Sequence, residues 1–360
     1  MYQVVAGLLT PVVIYLLITA LHWSLPARVV DGYVTDKVSG RPLRYRLNGR
    51  RVLVASMVIW FAFGNFHVMP FEWLYLTRWY GLAGACGLGL VFTLWIVLRE
   101  PATGRGLVAD LFLGRSENPQ FGDGLFDIKM WLYLVGAVML ELNVLSFAIY
   151  HYHEYGVAAS TGIILCAAML TFFVFDYLTF EEVHLYTYDI FAERVGFKLG
   201  WGCLAFYPYF YSVALWSTAG LPGSTMSVWH YVLATLVFLG GWSLARGANM
   251  QKFYFKVAPE RAFLGIKPEA ISDGQQSLLV NGFWGVSRHV NYLGEILMGS
   301  GIALSVAGYG QWWPWLYPLY YVALLVPRQW DDDVRCAAKY GELWQRYTDR
   351  VKYRIIPLIY

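Results

Sequence analysis

The chain has 360 residues, of which 58% are hydrophobic and only 14% charged, against about 25% charged in soluble domains. So much apolar side chain excludes an ordinary water-soluble domain and makes a bilayer the expected solvent. The net charge of +3 says little by itself and no nucleic-acid partner is expected; the four cysteines, Cys86, Cys166, Cys203 and Cys336, form no CxxC pair, so neither a metal site nor a disulfide framework is expected.

Residues 4–24 are too long an apolar run for a signal peptide and lack a small-residue cleavage site, so they predict a first membrane helix. A crossing needs roughly 20 apolar residues. On that measure spans are predicted at 3–25, 52–70, 73–98, 131–150, 157–178, 197–217, 227–245, 291–308 and 312–327. A short or re-entrant segment over 179–195 brings the total to about nine to ten. The expected fold is an all-α, polytopic integral membrane protein: one domain over 1–360, with a transmembrane bundle at 1–245 and a cofactor-binding part at 246–360. There is no internal repeat. Basic residues alternate between loops, as in Arg41 to Arg51, Arg246 to Lys267 and Arg328 to Arg354. The positive-inside rule puts these loops and the C-terminus in the cytosol and the N-terminus on the opposite side.

Three polar stretches interrupt this pattern: RSENPQFGDGLFDIK (115–129), DYLTFEEVHLYTYDIFAER (176–194) and everything beyond 246. In the second, Glu181, His184, Leu185 and Tyr188 have the spacing of one helix face, which would align an acid, an imidazole and a phenol as proton donors. A wet helix end at the surface is the alternative. In the third, GANMQKFYFK (247–256) offers Asn249, Gln251, Lys252 and Lys256, GFWGVSRHVNYLGE (282–295) offers Trp284, Arg288, His289, Asn291 and Tyr292, and PRQWDDDVRCAAKYGELWQRY follows at 327–347. Cations clamp phosphates and aromatic rings stack on nucleobases, so these stretches suit a dinucleotide. No GxGxxG follows a predicted strand, which excludes a Rossmann site. Anchoring of helix ends at lipid headgroups is the plainer alternative.

At these residues the sequence resembles the sterol reductase family, which includes the Δ14-, Δ7- and Δ24(28)-sterol reductases and the membrane domain of the lamin B receptor. The resemblance starts at RLNG (46–49), passes through the first two polar stretches and is strongest from 247 to Tyr360, through ANMQK, LLVNGFWGVSRHVNYLGE, RCAAKYGELWQRY and VKYRIIPLIY. It implies NADPH as cofactor and a sterol as substrate. It further implies that Lys252 contacts the cofactor phosphates and that Leu279, Trp284, Asn291 and Tyr292 line the pocket. Asp332 would hold the cofactor near the reacting centre, and Cys336 to Tyr340, including Lys339, together with Tyr347 would complete the site. Arg328 matches an active-site arginine. Departures are Pro327 before Arg328 in place of a histidine, Lys256 in place of an arginine, His184-Leu185 in place of an aromatic-Leu pair, and Ala192-Glu193 before the GF.

The resemblance implies reduction of a sterol double bond by alkene protonation and then hydride addition, with the Δ14, Δ7 and Δ24(28) bonds all open. The acid would be His184 or Tyr188, or a site organised by Arg328 and Asp332. Alternatives are an isoprenylcysteine-type methyltransferase, which shares RH-x-x-Y-x-G, and a catalytically silent sterol-binding protein. A transporter fits less well, since the polar residues avoid the midplane. The expected home is the endoplasmic reticulum or a bacterial inner membrane.

Overall fold

The computed structural model describes residues 1–37, 39–122, 124–223 and 225–360; Asp123, in the first polar stretch, lies outside them. There are two compact units, Met1–Thr225 and Met226–Tyr360. The division expected at 245 falls inside a helix, because Val228–Val257 carries its apolar run and the polar run after it without a break.

The first unit opens with α1 (Tyr2–Ser24). The helix stops where Leu25 turns extended, at φ −79° and ψ 146°, as the residue before a proline is pushed to do. An antiparallel hairpin follows, β1 (Arg28–Thr35) and β2 (Pro42–Leu47), with Arg28 opposite Leu47. Then come α2 (Gly49–Asn65), α3 (Trp73–Leu76), α4 (Arg78–Leu98), α5 (Leu107–Leu113) and a two-residue ladder of β3 (Gln120–Phe121) with β4 (Phe126–Asp127). Asp127 caps α6 (Ile128–Ala159) by accepting the Met130 N–H at 2.8 Å. The unit's interior forms around α6, 78% of whose most apolar stretch is buried, against 22% for α1. The chain continues through α7 (Thr161–Thr179), α8 (Glu181–His184), α9 (Tyr188–Phe191), α10 (Phe197–Trp201), a π-helical turn at Gly202–Phe206, α11 (Tyr207–Phe210) and α12 (Val213–Thr218).

The second unit holds α13 (Val228–Val257), the hairpin β5 (Ala270–Ser272) with β6 (Ser277–Leu279), α14 (Phe283–Val286), α15 (Val290–Ser305), α16 (Leu316–Tyr340) and α17 (Glu342–Arg350). α13 and α15 meet backbone to backbone. A Cβ on Gly294 would stand 2.4 Å from Ala245 N, one on Gly241 2.6 Å from Gly294 O, and one on Gly301 2.7 Å from Phe238 N. Small residues recurring along both helices make that approach available, the usual basis of helix association in lipid.

The protein is mostly helical, as expected of the all-α class, with three two-stranded antiparallel ladders added among the described residues. Among the described residues, five helices are long and apolar enough to cross a membrane: α1, α4, α6, α7 and α13. The other four expected spans fall short by that measure, for three reasons. α2 and α15 have 17 and 16 residues. α16 carries Arg328 and the Asp331–Asp333 run in its second half. The segment 197–217 is no single regular helix: a π turn just before Pro208, which has no N–H to donate, joins α10 to α11, and Ser212 leaves the helix at φ −85°, ψ 8° before α12.

Candidate functional site

In the first unit the second polar stretch does not form one helix. α8 ends at His184, and Thr187 is extended at φ −99°, ψ 161° before α9 begins. Glu181, His184, Leu185 and Tyr188 therefore do not share a helix face. Leu185 is fully buried with Tyr45, Leu47, Met130 and Ile190. Glu181 turns to the start of α2, where its Oε2 accepts the Gly49 N–H at 2.8 Å. Burial raises its carboxyl to about 7, against the pull of the Gly49 N–H and the Arg28 charge. Its neighbour Glu182 pairs with Arg28. His184 lies over the Tyr177 ring, centroids 4.0 Å apart, and Tyr188 lies edge-on to Phe191 at 5.9 Å.

The second unit gathers most of the expected site. α13 brings Asn249, Gln251 and Lys252. Gln251 braces the turn into α14, its Oε1 accepting the Phe283 N–H at 3.0 Å and its amide donating to Asn281 O at 3.3 Å. The turn requires Gly282, which sits at φ 63° and where a Cβ would meet the Gln251 amide at 2.2 Å. That bracing presents Trp284, whose Nε1 donates to Ala248 O at 2.8 Å. The Lys252 ammonium stands 5.5 Å from the centre of the Trp284 ring, a cation–π contact. On α15, Asn291 donates to Asn249 Oδ1 at 3.3 Å while its own Oδ1 is buried without a hydrogen bond. Tyr292, buried, stacks on His289 at 4.8 Å.

α16 and α17 close the group. Burial pushes the Cys336 thiol up to about 12; the Asp332 charge adds to that, and the nearby Lys252 and Lys339 charges oppose it. Tyr347 on α17 is buried, which raises its phenol, and its hydroxyl reaches Trp284 O at 3.5 Å. Leu279, on β6, is 7% exposed. Tyr347 packs with Val280 and Val351 against the hairpin that Leu279 ends. Lys339 lies over the Tyr340 ring at 5.0 Å. Lys256 is exposed at the end of α13, and Arg328 is half-buried one turn before Asp332.

Sequence reasoning missed Asp333. Arg354 Nε stands 3.6 Å from it, Arg288 Nη2 3.8 Å and His289 Nε2 4.0 Å, all too long for hydrogen bonds. Burial alone would raise this carboxyl; the His289 ring and the two guanidiniums outweigh it, and the net shift is downward. Arg288 Nε, His289 Nε2 and Asp333 Oδ1 are all buried without a hydrogen bond. The acidic run DDD gave no signal for which of its members would turn inward.

Residues 7–360 match the profile described as the ergosterol biosynthesis ERG4/ERG24 family. Among similar proteins, a Delta(14)-sterol reductase of Arabidopsis thaliana is 32% identical over 93% of this chain and 91% of its own length. Those of Methylotuvimicrobium alcaliphilum and Schizosaccharomyces pombe are 34% and 35% identical, over 72% and 73% of this chain. The matches span 60% and 61% of the length of those two relatives. These names do not favour the methyltransferase alternative, and the profile agrees with the resemblance carried by ANMQK, GFWGVSRHVNYLGE and RCAAKYGELWQRY. The chain belongs to the ergosterol biosynthesis ERG4/ERG24 family and, with it, to the sterol-reductase class of enzymes.

Proposed function

We propose that this chain reduces a carbon–carbon double bond of a sterol with NADPH, and that the bond is Δ14, the one named in its relatives. The observation that carries the cofactor assignment is the convergence of Lys252, Trp284, Asn291, Cys336 and Tyr347 from five helices of the second unit. The residues fit a dinucleotide. A cation sits beside a half-buried aromatic ring, Arg288 Nε is a buried donor without an acceptor, and Asn291 Oδ1 is a buried acceptor without a donor. NADPH, when bound, supplies a hydride.

The chain's own residues do the rest. Lys252, Arg288 and Lys256 neutralise phosphate. Trp284 and Tyr292 offer ring faces, Leu279, Lys339, Tyr340 and Tyr347 wall the site, and Asn291 accepts from an amide. Asp332 and Arg328, one helical turn apart, orient the reacting groups. An isolated alkene accepts hydride only once protonated, so a proton must be held ready; His184 and Tyr188 are the first unit's holders. The apolar interior withholds water that would trap the cation formed.

The protein is read as crossing the membrane nine times, the five long apolar helices plus α2, the broken α10–α12 path, α15 and α16. The basic loops support a cytosolic C-terminus, in the endoplasmic reticulum or a bacterial inner membrane. The test is to incubate purified protein with NADPH carrying transferable deuterium and a panel of Δ7, Δ14, Δ24 and Δ24(28) sterols. Mass spectrometry should show deuterium in the Δ14 product. Label in a different sterol moves the bond, and label in none overturns the reductase reading.

A further inference from the structure

On α16 the row Val322, Val326, Trp330 and Val334, one residue in every four, is apolar throughout, and Val322, Trp330 and Val334 are 40%, 53% and 69% exposed. The neighbouring row from Trp315 through Leu319 ends at Asp331. The first row does not end there. It runs on past Arg328 and the acidic run, so that an outward apolar face continues about 18 Å from Val322 to Val334.

At its far end a second segment joins it. Trp330 Nε1 donates to Tyr360 Oη at 2.8 Å, and Tyr360 Oη in turn donates to Gln329 Oε1 at 3.2 Å. This holds 356–360 against α16. The segment shows Leu358 and Ile359 outward, 82% and 79% exposed. Leu358 also has φ 68°, a left-handed conformation that a side chain with a Cβ takes only at a cost. A strained backbone that turns a leucine outward gains nothing in water. It gains burial if the outside is lipid. Two cations border the patch: Arg354 Nη1 donates to Tyr360 Oη at 3.2 Å, and exposed Arg335 follows Val334 in the chain; both suit anionic headgroups.

We propose that Trp330, Val334 and the 356–360 segment form a foot seated in the headgroup–acyl boundary of the bilayer, continuous with the lipid-facing side of α16. Through Gln329, which donates to Asp333, the foot ties the membrane surface to the acidic corner of the site. The proposal rests on reading α16 as a membrane helix.

The test uses nitroxide labels on the full chain in vesicles of phosphatidylcholine and phosphatidylglycerol, with the parent chain's signal subtracted. Labels at Leu358→Cys and Ile359→Cys are compared with Leu319→Cys as the lipid reference and Asp349→Cys as the aqueous one. Collision with oxygen should exceed collision with a water-soluble nickel chelate at both tail sites, with a ratio near that of Leu319→Cys. A ratio matching Asp349→Cys overturns the foot. Spin–spin broadening that vanishes on dilution with unlabelled protein assigns the patch to a second copy and overturns it too. Nickel access at Leu319→Cys sinks the membrane reading of α16 itself, which separates the two failures.

Discussion

Lys129 and Arg288 are both buried cations, and the two units treat them differently. Lys129, in the first unit, is fully buried and spends its ammonium on the carbonyls of Asp189 and Ile190, at 3.1 and 2.7 Å. Asn48 likewise donates to His22 O and Leu25 O, and Glu181 takes the Gly49 N–H. Arg288, in the second unit, leaves its Nε without an acceptor, close to similarly unsatisfied atoms of His289 and Asp333. The first unit has unmatched buried atoms too, among them Tyr45 Oη, Ser56 Oγ, Trp60 Nε1, Glu141 Oε2 and Asn143 Oδ1; what sets the second unit apart is that Arg288, His289 and Asp333 bring three such atoms together, the first two side chains reaching within 4.0 Å of the third. An unmatched buried polar atom is costly, so several in one place point to a ligand. A fully matched network points to architecture. On that contrast Glu181, grouped in the sequence with the proton donors, becomes a structural carboxyl holding the start of α2.

The contrast can be broken by substitution. The largest effect is expected from Gly294→Leu, because its Cβ would meet backbone atoms of α13 at 2.4 and 2.6 Å, which cannot yield without parting the helices. Overpacking of this kind costs about 1–3 kcal/mol or more, and thermal unfolding in detergent should show it as a loss of folded protein. Asp332→Asn should leave the fold intact and lower turnover on the order of 100-fold, the scale for losing one oriented polar group at a reacting centre. Unchanged turnover removes Asp332 from the site.

Glu181→Gln tests the architectural side. With a folded value of about 7 against an ordinary 4.5, the native carboxyl holds its proton where the unfolded chain has released it. Stability therefore falls as pH rises from about 4.5 to 7, by at most about 3 kcal/mol. Glutamine keeps an acceptor for Gly49 and should flatten that slope with turnover retained; a slope identical to the parent's refutes the assignment. The smallest effect is expected from Lys252→Gln. It removes one cation at the phosphates and should raise the KM for NADPH about 10-fold with kcat nearly unchanged, read from steady-state kinetics.

Much of this was legible in the sequence where it depends on local pattern. α1, α4, α6 and α7 are long apolar runs, and the residues of 247–256, 282–295 and 327–347 carry a recognisable spacing of cations, amides and rings. The path 197–217 was not legible, because its composition is that of a span and only the π turn before Pro208 and the turn at Ser212 interrupt its regularity. The 181–188 face failed for a related reason: helical spacing was present, but Thr187 leaves the helix. Gln251 and His289 stood out in their stretches, but their partners did not, and Asp333 was missed, because these pairs join residues 32 and 44 positions apart: Gln251 with Phe283 and His289 with Asp333. No local rule supplies such pairs.

α13 remains helical from Val228 to Val257, and this has a geometric corollary. The distance from its first apolar turn to Lys252 is set by a count of peptide units, about 36 Å at 1.5 Å each, and no flexible joint intervenes. The helix is a ruler whose divisions are also angular. Deleting a single residue between 228 and 245 would lower Asn249, Gln251 and Lys252 by about 1.5 Å and swing all three by about 100°, carrying the Gln251 brace away from Phe283. Point substitutions on the outer surface of α13 leave that scale untouched, whereas a change of length by even one residue resets it.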